Sequence, residues 1–482
     1  MAALAAAAVA ASAASPKRGV CWDEGNLPLG TAQAALLAPG VSWAYNWGPD
    51  AAVPEAYGDS FCFLPMAWNG AYDDARIRAW LTAHPETRYL LGFNEPNFAD
   101  QARMTPAQAA EAWPALEAIA AEFGLKLVAP ALNFSASQVG GRVWNPYEWY
   151  DEFFRLRPAA KVDCLAMHCY MNWYSANTWL ATEYFYTDLY NPQKDCYGRY
   201  PHLVAFLDSF KDANGRFPKM MLTEFCSWEN DGTIKDVGFQ IDQMTQKVQK
   251  LEQSNLVEGY AWFMADPAGG AGAYPYMSLL QSCSPSSGLS ELGTVYVHMS
   301  SFDKERFFTP GETVAASDYV DATTDGARIS VRSNSDDASA LPLRIEVPVS
   351  GYATYQIDVP APGSYKFVFR TSAEAAGSLL LYVDNKKAAQ AAIPASGWTD
   401  VELTVSLAAG HHSVMPYNGG TAPFLMNAFS FSATDGIAEA EAHAPAQGAF
   451  FTLAGLPARP ASAARGIYIE RRSDGSYRKI RK

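Results

Sequence analysis

Tyr89-Leu90-Leu91-Gly92-Phe93-Asn94-Glu95-Pro96-Asn97 is the stretch that decides the fold. An apolar run gives way at once to an amide, a carboxylate and a proline. A short run that is apolar throughout, not at alternate positions, suits a parallel strand covered on both faces. Residues 17–300 repeat the pattern. Before it come Gly19-Val20-Cys21-Trp22, Ser42-Trp43-Ala44-Tyr45-Asn46-Trp47 and Phe61-Cys62-Phe63-Leu64-Pro65-Met66. After it come Lys126-Leu127-Val128-Ala129-Pro130, Cys164-Leu165-Ala166-Met167-His168, Met220-Met221-Leu222-Thr223 and Tyr260-Ala261-Trp262-Phe263-Met264. Helix signals lie between several runs. Thr105-Pro106 reads as an N-cap and first-turn proline, and Gly124 stops the helix after Phe123. Gln240 to Gln253 reads as another helix. About eight β-α units in roughly 280 residues is the size of a (β/α)8 TIM barrel. A doubly wound open sheet is the alternative, but no phosphate-binding Gly-rich loop follows the first run.

In such a barrel the loops after the strands form one mouth and carry the chemistry. Glu95 follows the fourth run and Glu224 the seventh, on strands that face each other across the mouth. Cleavage of a glycosidic bond needs such a pair. One carboxyl protonates the leaving oxygen, and the other attacks the anomeric carbon at a separation of roughly 5–5.5 Å in a retaining enzyme. Taken singly, Glu95 also fits a helix cap or surface ion pair, and Glu224 a buried ion-pair partner. Their joint placement favours the paired role. An acid Glu95 needs an apolar setting or the negative charge of Glu224, and an ionised Glu224 needs hydrogen-bond donors. His168 and Tyr170, at the end of the sixth run, can supply donors, though His168 also fits a satisfied core histidine. Trp22, Trp47, Trp68, Trp173, Trp228 and Trp262 follow runs and can either stack on pyranose faces or pack in the core. Tyr45, Asn46 and Asn172 belong to the same group.

The segments Gly92-Phe93-Asn94-Glu95-Pro96-Asn97, Ala166-Met167-His168-Cys169-Tyr170 and Leu222-Thr223-Glu224-Phe225 closely resemble glycoside hydrolase family 128, a family of β-1,3-glucanases. The resemblance covers nearly all of residues 17–300. It implies that Glu95 is the general acid/base and Glu224 the nucleophile, and that Asn94 binds the sugar hydroxyl beside the reacting carbon. The implied activity is retaining, endo-acting hydrolysis of β-1,3-glucan, with no cofactor and no metal. Action on another β-glucan, a xylan or a mannan is the second reading. A carbohydrate-binding protein on a decayed barrel is the third.

Residues 301–433 change character. Period-two alternation in Tyr355-Gln356-Ile357-Asp358-Val359, Tyr365-Lys366-Phe367-Val368-Phe369 and later runs indicates an antiparallel β-sandwich. This region resembles family 6 carbohydrate-binding modules through Gly351-Tyr352-Ala353-Thr354-Tyr355, Gly397-Trp398 and Asn427. The resemblance implies that Tyr355 and Trp398 grip a sugar ring while Asn427 bonds its hydroxyls. The acidic motif that opens such modules is not clear, and Ala428 replaces an aromatic. Residues 434–482, with Phe450-Phe451-Thr452-Leu453-Ala454-Gly455 and Gly466-Ile467-Tyr468-Ile469, resemble the C-terminal sorting domains of Bacteroidetes secreted proteins. Residues 1–16 are an Ala-rich leader, with Ala11-Ser12-Ala13 matching a small-residue cleavage pattern. Together these predict a secreted or outer-membrane-associated protein.

Composition sets the outer bounds. At 482 residues the chain is long enough for two or three domains, and 49% hydrophobic residues argue for a folded one. A net charge of -14 argues against nucleic acid as partner. No apolar stretch is long enough to span a bilayer. Seven cysteines is an odd number and none forms C-x-x-C, so most read as buried small hydrophobes and a structural metal is not expected. A monomer acting on a neutral polysaccharide is the expected state.

Overall fold

The computed structural model describes residues 14–133, 137–170, 218–227, 234, 236–266, 276–323 and 326–434, with the backbone of four short strands between 450 and 481. Eight parallel strands build the first part. They are β1 (Ser15–Cys21), β2 (Val41–Tyr45), β3 (Cys62–Phe63), β4 (Tyr89–Leu91), β5 (Lys126–Val128), β6 (Cys164–Cys169), β7 (Lys219–Phe225) and β8 (Val257–Trp262). Their spatial order is β3-β2-β1-β8-β7-β6-β5-β4, which is chain order around a ring. A parallel bridge between Met66 and Leu91 joins the extension of β3 to β4 and closes it. Every expected run forms a strand or its extension, because each is buried on both faces, as in the six fully buried residues of β6.

The helices on the outside include α1 (Thr31–Leu37), α2 (Asp74–Ala83), α3 (Pro106–Phe123) and α4 (Pro146–Leu156). They also include α5 (Val237–Gln253) and α6 (Glu291–His298). The capping box at α3 is complete. The Thr105 hydroxyl accepts from the Gln108 amide, and the Gln108 side chain accepts from the Thr105 amide. Gly124 then takes a left-handed φ of 68°, which ends the helix. Helix α5 starts before Gln240, because the Asp236 carboxylate accepts from the Phe239 amide and caps it. Among the described residues no helix is long and apolar enough to cross a membrane.

Arg18 of β1 ties the barrel to α6 and the segment after it. It is fully buried and donates to the Tyr260 hydroxyl at 3.0 Å. It also donates to the carbonyls of Tyr296, Met299 and Ser300 at 2.9, 3.2 and 2.6 Å. Removing it strands three carbonyls in the interior and takes the cation from the buried Glu252 carboxylate, which keeps only the Tyr260 hydroxyl as a partner among the described residues. Arg18→Ala should therefore cost about 3–5 kcal/mol of stability, read as a lowered denaturation midpoint.

Beyond residue 300 the chain forms two antiparallel sheets. One contains Ser330–Ser333, Leu343–Val347, Phe424–Ala433, Gly363–Ala373 and Ser396–Leu407, with Thr313–Ala315 alongside. The other contains Asp321–Ala322, Ala353–Val359, Gly410–Asn418, Gly377–Val383 and Lys386–Ile393. Burial alternates along Ala353–Val359 and Gly363–Ala373, so each has one face inward. The Tyr355 ring meets the Phe429 ring of the other sheet at 4.9 Å. The sheets hold the barrel through Arg332, paired with Asp242 of α5 at 2.8 Å, and through Asp321, which accepts from Gln249 at 3.0 Å. The four tail strands form a small antiparallel sheet of their own.

Candidate active site

The mouth of the barrel gathers Glu95, His168 and Glu224, all buried. Their nearest oxygen and nitrogen atoms lie within 4.8 Å of one another. Strand register explains the meeting. On β6 and β7, His168 pairs with Glu224, and the short extension after β5 pairs Asn133 with His168. Glu95 follows β4 and is stitched in from both sides. The Asn94 amide donates to the Trp68 carbonyl at 2.9 Å, and the Glu95 amide donates to the Ala131 carbonyl at 2.8 Å. Glu95 and Trp47 hold left-handed φ values of 45° and 61°. Non-glycine residues rarely adopt that region, and it recurs where a scaffold forces a side chain into a site.

Donors surround the two carboxylates unequally. Glu224 Oε1 accepts from Trp47 Nε1 at 2.7 Å and from the Tyr45 hydroxyl at 3.2 Å. Glu224 Oε2 accepts from the Tyr170 hydroxyl and lies 3.3 Å from His168 Nδ1. Glu95 Oε1 takes both of its partners, Asn133 Nδ2 at 2.6 Å and His168 Nδ1 at 2.6 Å. His168 Nε2 meets Thr223 Oγ1 at 3.0 Å, which fixes the ring. Cluster composition alone would suit a metal ion. The donor hydrogens of Trp47, Tyr45, Tyr170 and Asn133, however, point at oxygens whose lone pairs a cation would need.

The three groups titrate as a unit. Burial pulls His168 down, but the charges of Glu224 and Glu95 outweigh it and hold the imidazole above its ordinary range. Burial pushes Glu95 up, but the charge of His168 and its hydrogen bond, with that of Asn133, leave it below the ordinary glutamate value. Burial raises Glu224, and the charge of Glu95 adds to this against His168, Tyr170 and Trp47. The sequence suggests a Glu95 kept protonated by an apolar setting or by Glu224. Here His168 stands between the carboxylates instead, with its Nδ1 2.6 Å from Glu95 Oε1, and the charges of both carboxylates favour the protonated imidazole.

The other expected residues divide clearly. Asn94 sits beside Glu95. Its Nδ2 donates to Gln101 at 3.1 Å, while its Oδ1 is buried and has no partner among the described residues. Trp47 and Tyr170 reach Glu224, and Trp68 is half-buried at the mouth. Trp22 and Trp262 do not line a cleft. Both are fully buried, with their indole N–H groups spent on the carbonyls of Leu27 at 2.6 Å and Met277 at 2.8 Å. Asn46 builds a turn, accepting from the Gly48 amide and donating to the Asp50 carbonyl. Trp173, Trp228 and Asn172 lie outside the described residues. Three contacts escape sequence reading: Tyr45 in part, Thr223 and Asn133. Of these, only Thr223 lies inside one of the three family motifs.

In the second region, Tyr355 does not face solvent. It is fully buried, and its hydroxyl donates to the Ala316 carbonyl at 2.6 Å, so a sugar-gripping role is ruled out. The alternation that predicts its strand also places it on the inward face. Asn427 is buried against Asp336, to which its Nδ2 donates at 3.0 Å. Trp398 is half-buried on the strand Ser396–Leu407.

A family-128 (subgroup II) endo-β-1,3-glucanase from Pseudomonas viridiflava is similar at 32% identity, over 59% of this chain and 97% of its own, with a TM-score of 0.43. One from Sorangium cellulosum is similar at 28% identity, over 58% and 97%, with a TM-score of 0.43. A subgroup I enzyme from Amycolatopsis mediterranei, in complex with laminaritriose, is similar at 24% identity, over 58% and 98%, with a TM-score of 0.40. No curated protein matches the chain. The model of the glycosyl hydrolase catalytic core matches residues 19–296, more than half of the chain and all eight strands but the start of the first. With its carboxylate pair at the mouth of a closed parallel barrel, the chain belongs to the glycosyl hydrolase catalytic core family.

Proposed function

We propose that this chain is a retaining endo-β-1,3-glucanase of glycoside hydrolase family 128, with Glu224 as nucleophile and Glu95 as acid/base. The observation that carries the reading is the pair itself: carboxylate oxygens within 4.8 Å, on opposite strands of one mouth. A close approach of this order suits direct attack, whereas the carboxyls of an inverting enzyme stand roughly 6.5–9.5 Å apart to admit a water. Hydrogen bonds from Trp47 and Tyr170 favour the Glu224 anion against the burial that opposes it. Glu95 receives the proton when His168 gives up its own, which leaves an acid beside a carboxylate at unchanged total charge. A Glu224 oxygen then bonds the anomeric carbon as Glu95 protonates the departing oxygen. In the second step Glu95 takes a proton from water, the water oxygen bonds the same carbon, and Glu224 is released. The buried, unpartnered Asn94 Oδ1 supports a role in accepting from the hydroxyl beside that carbon.

Substrate choice follows from the resemblance of the three motifs and is tested by digestion. Linear β-1,3-glucan should be cut internally into a ladder of oligosaccharides, and xylan, mannan and cellulose should not. Exclusive release of a single small product would contradict endo action. The two sheets beyond residue 300 read as a sandwich of carbohydrate-binding type, without help from Tyr355. Export to the cell surface, suggested by the leader and tail, belongs to the same proposal.

Acidity gives a further check. Burial and Glu95 raise Glu224 above 4.5, and the attack needs its anion, so activity should fall as pH drops through that raised value. Trp47→Phe removes a donor that favours the anion. It should lower kcat/KM by about 10- to 100-fold and move the acid limb to higher pH.

A further inference from the structure

Asn97 is the last residue of the Asn94-Glu95-Pro96-Asn97 motif, yet it touches neither carboxylate. It is completely buried, and each polar atom of its side chain is engaged with the loop after β5. Its Nδ2 donates to the Asn133 carbonyl at 2.8 Å and to the Trp144 carbonyl at 3.3 Å. Its Oδ1 accepts from the Asn133 amide at 3.2 Å. Asn133 is thus held at both backbone polar groups by one side chain. Its own side chain then donates to Glu95 Oε1 at 2.6 Å, on the oxygen that also meets His168.

We propose that Asn97 and Asn133 form a two-step relay that positions Glu95 and sets its acidity. The proposal rests on Glu95 being the acid/base. The reciprocal pair fixes where the Asn133 amide points, and that amide does two things. It restrains the Glu95 carboxyl, whose backbone φ is already left-handed. It also favours the ionised form, because an N–H donor stabilises a carboxylate more than a neutral carboxyl. Glu95 is therefore poised between His168, which can return it a proton, and Asn133, which makes it yield that proton readily to the leaving oxygen. Both asparagines are positioning residues, since each acts through Glu95.

Asn133→Ala removes the donor to Glu95 Oε1. The pKa of Glu95 then rises, and because the first step needs protonated Glu95, the basic limb of kcat/KM should move up by about one pH unit. Loss of orientation should lower kcat/KM on laminari-oligosaccharides by about 10- to 100-fold. With 2,4-dinitrophenyl β-laminaribioside, whose leaving group needs no proton, kcat/KM should stay within about twofold. Asn97→Asp keeps the Oδ1 acceptor but loses both donations. It should show the same leaving-group dependence, with a melting temperature measured alongside to register any loss of fold. Equal losses on both substrates with an unmoved basic limb would overturn the relay, whatever the stability of the variants. Glu95→Gln is the control for the underlying assignment. If it hydrolyses oligosaccharides normally, Glu95 is not the acid/base. If it fails on oligosaccharides but cleaves the dinitrophenyl substrate, the Asn133 result tests the relay alone.

Discussion

Glu224→Ala should abolish hydrolysis of β-1,3-glucan, with kcat falling on the order of 10⁵-fold, as expected when a nucleophile is removed from a site that works as a unit. The geometry makes this the largest effect in the molecule. Glu224 collects Trp47 Nε1, the hydroxyls of Tyr45 and Tyr170, and the edge of His168. No other carboxylate among the described residues stands within reach of the same atoms except Glu95, which has its own task. The truncation also opens a space beside the reacting carbon. A small anion such as azide can enter there from the face Glu224 occupied. With an aryl β-glycoside, whose leaving group departs from the opposite face, azide should restore turnover and yield the α-glycosyl azide, a product of inverted configuration. Residual wild-type activity in the purified variant would remove Glu224 from the role.

Glu95→Ala should have the second largest effect, and a different signature. Hydrolysis of the polysaccharide should fall by about 10²- to 10⁴-fold, the range for a lost general acid/base. Cleavage of a dinitrophenyl glycoside should keep its kcat/KM while turnover slows, because the first step no longer needs a proton and the second still needs a base. The glycosyl-enzyme on Glu224 should then accumulate and be visible as a burst. Azide added to this variant should attack the intermediate and give a product of retained configuration, the opposite outcome to Glu224→Ala. The pH profile should also lose its basic limb, since the group that must be protonated is gone. The contrast between the two azide products assigns the roles independently of rate.

Much of this architecture is legible in the sequence because its causes are local. Each barrel strand is apolar on both faces, so it reads as a continuous run, and the residues after it are delivered to the mouth. Thr105, Pro106, Gln108 and Gly124 mark both ends of α3 within one turn of chain. Glu95 and Glu224 are legible as a pair for the same reason. Partners set by register between distant strands are not. Asn133 follows Leu132 in a two-residue strand and gains its meaning only from pairing opposite His168. Tyr45 and Thr223 meet around Glu224 across 178 positions of chain, with the Tyr45 hydroxyl 3.1 Å from the Thr223 carbonyl. The tryptophans show the converse. Position at or just after a strand end marks Trp22, Trp47 and Trp262 alike, yet of the three only Trp47, with its left-handed backbone, reaches the carboxylate. Trp22 and Trp262 turn into the core. In the second region the alternation that locates Tyr355 also determines its inward direction, so its burial follows from its register.

The carboxylate pair is the centre of the proposed mechanism, and its most direct test is the anomeric form of the first product. Proton NMR of a linear β-1,3-glucan during the first minutes of digestion should show the β-anomer of the new reducing end, with the α-anomer growing in only as mutarotation proceeds. Initial release of the α-anomer would contradict a two-step reaction through Glu224 and Glu95.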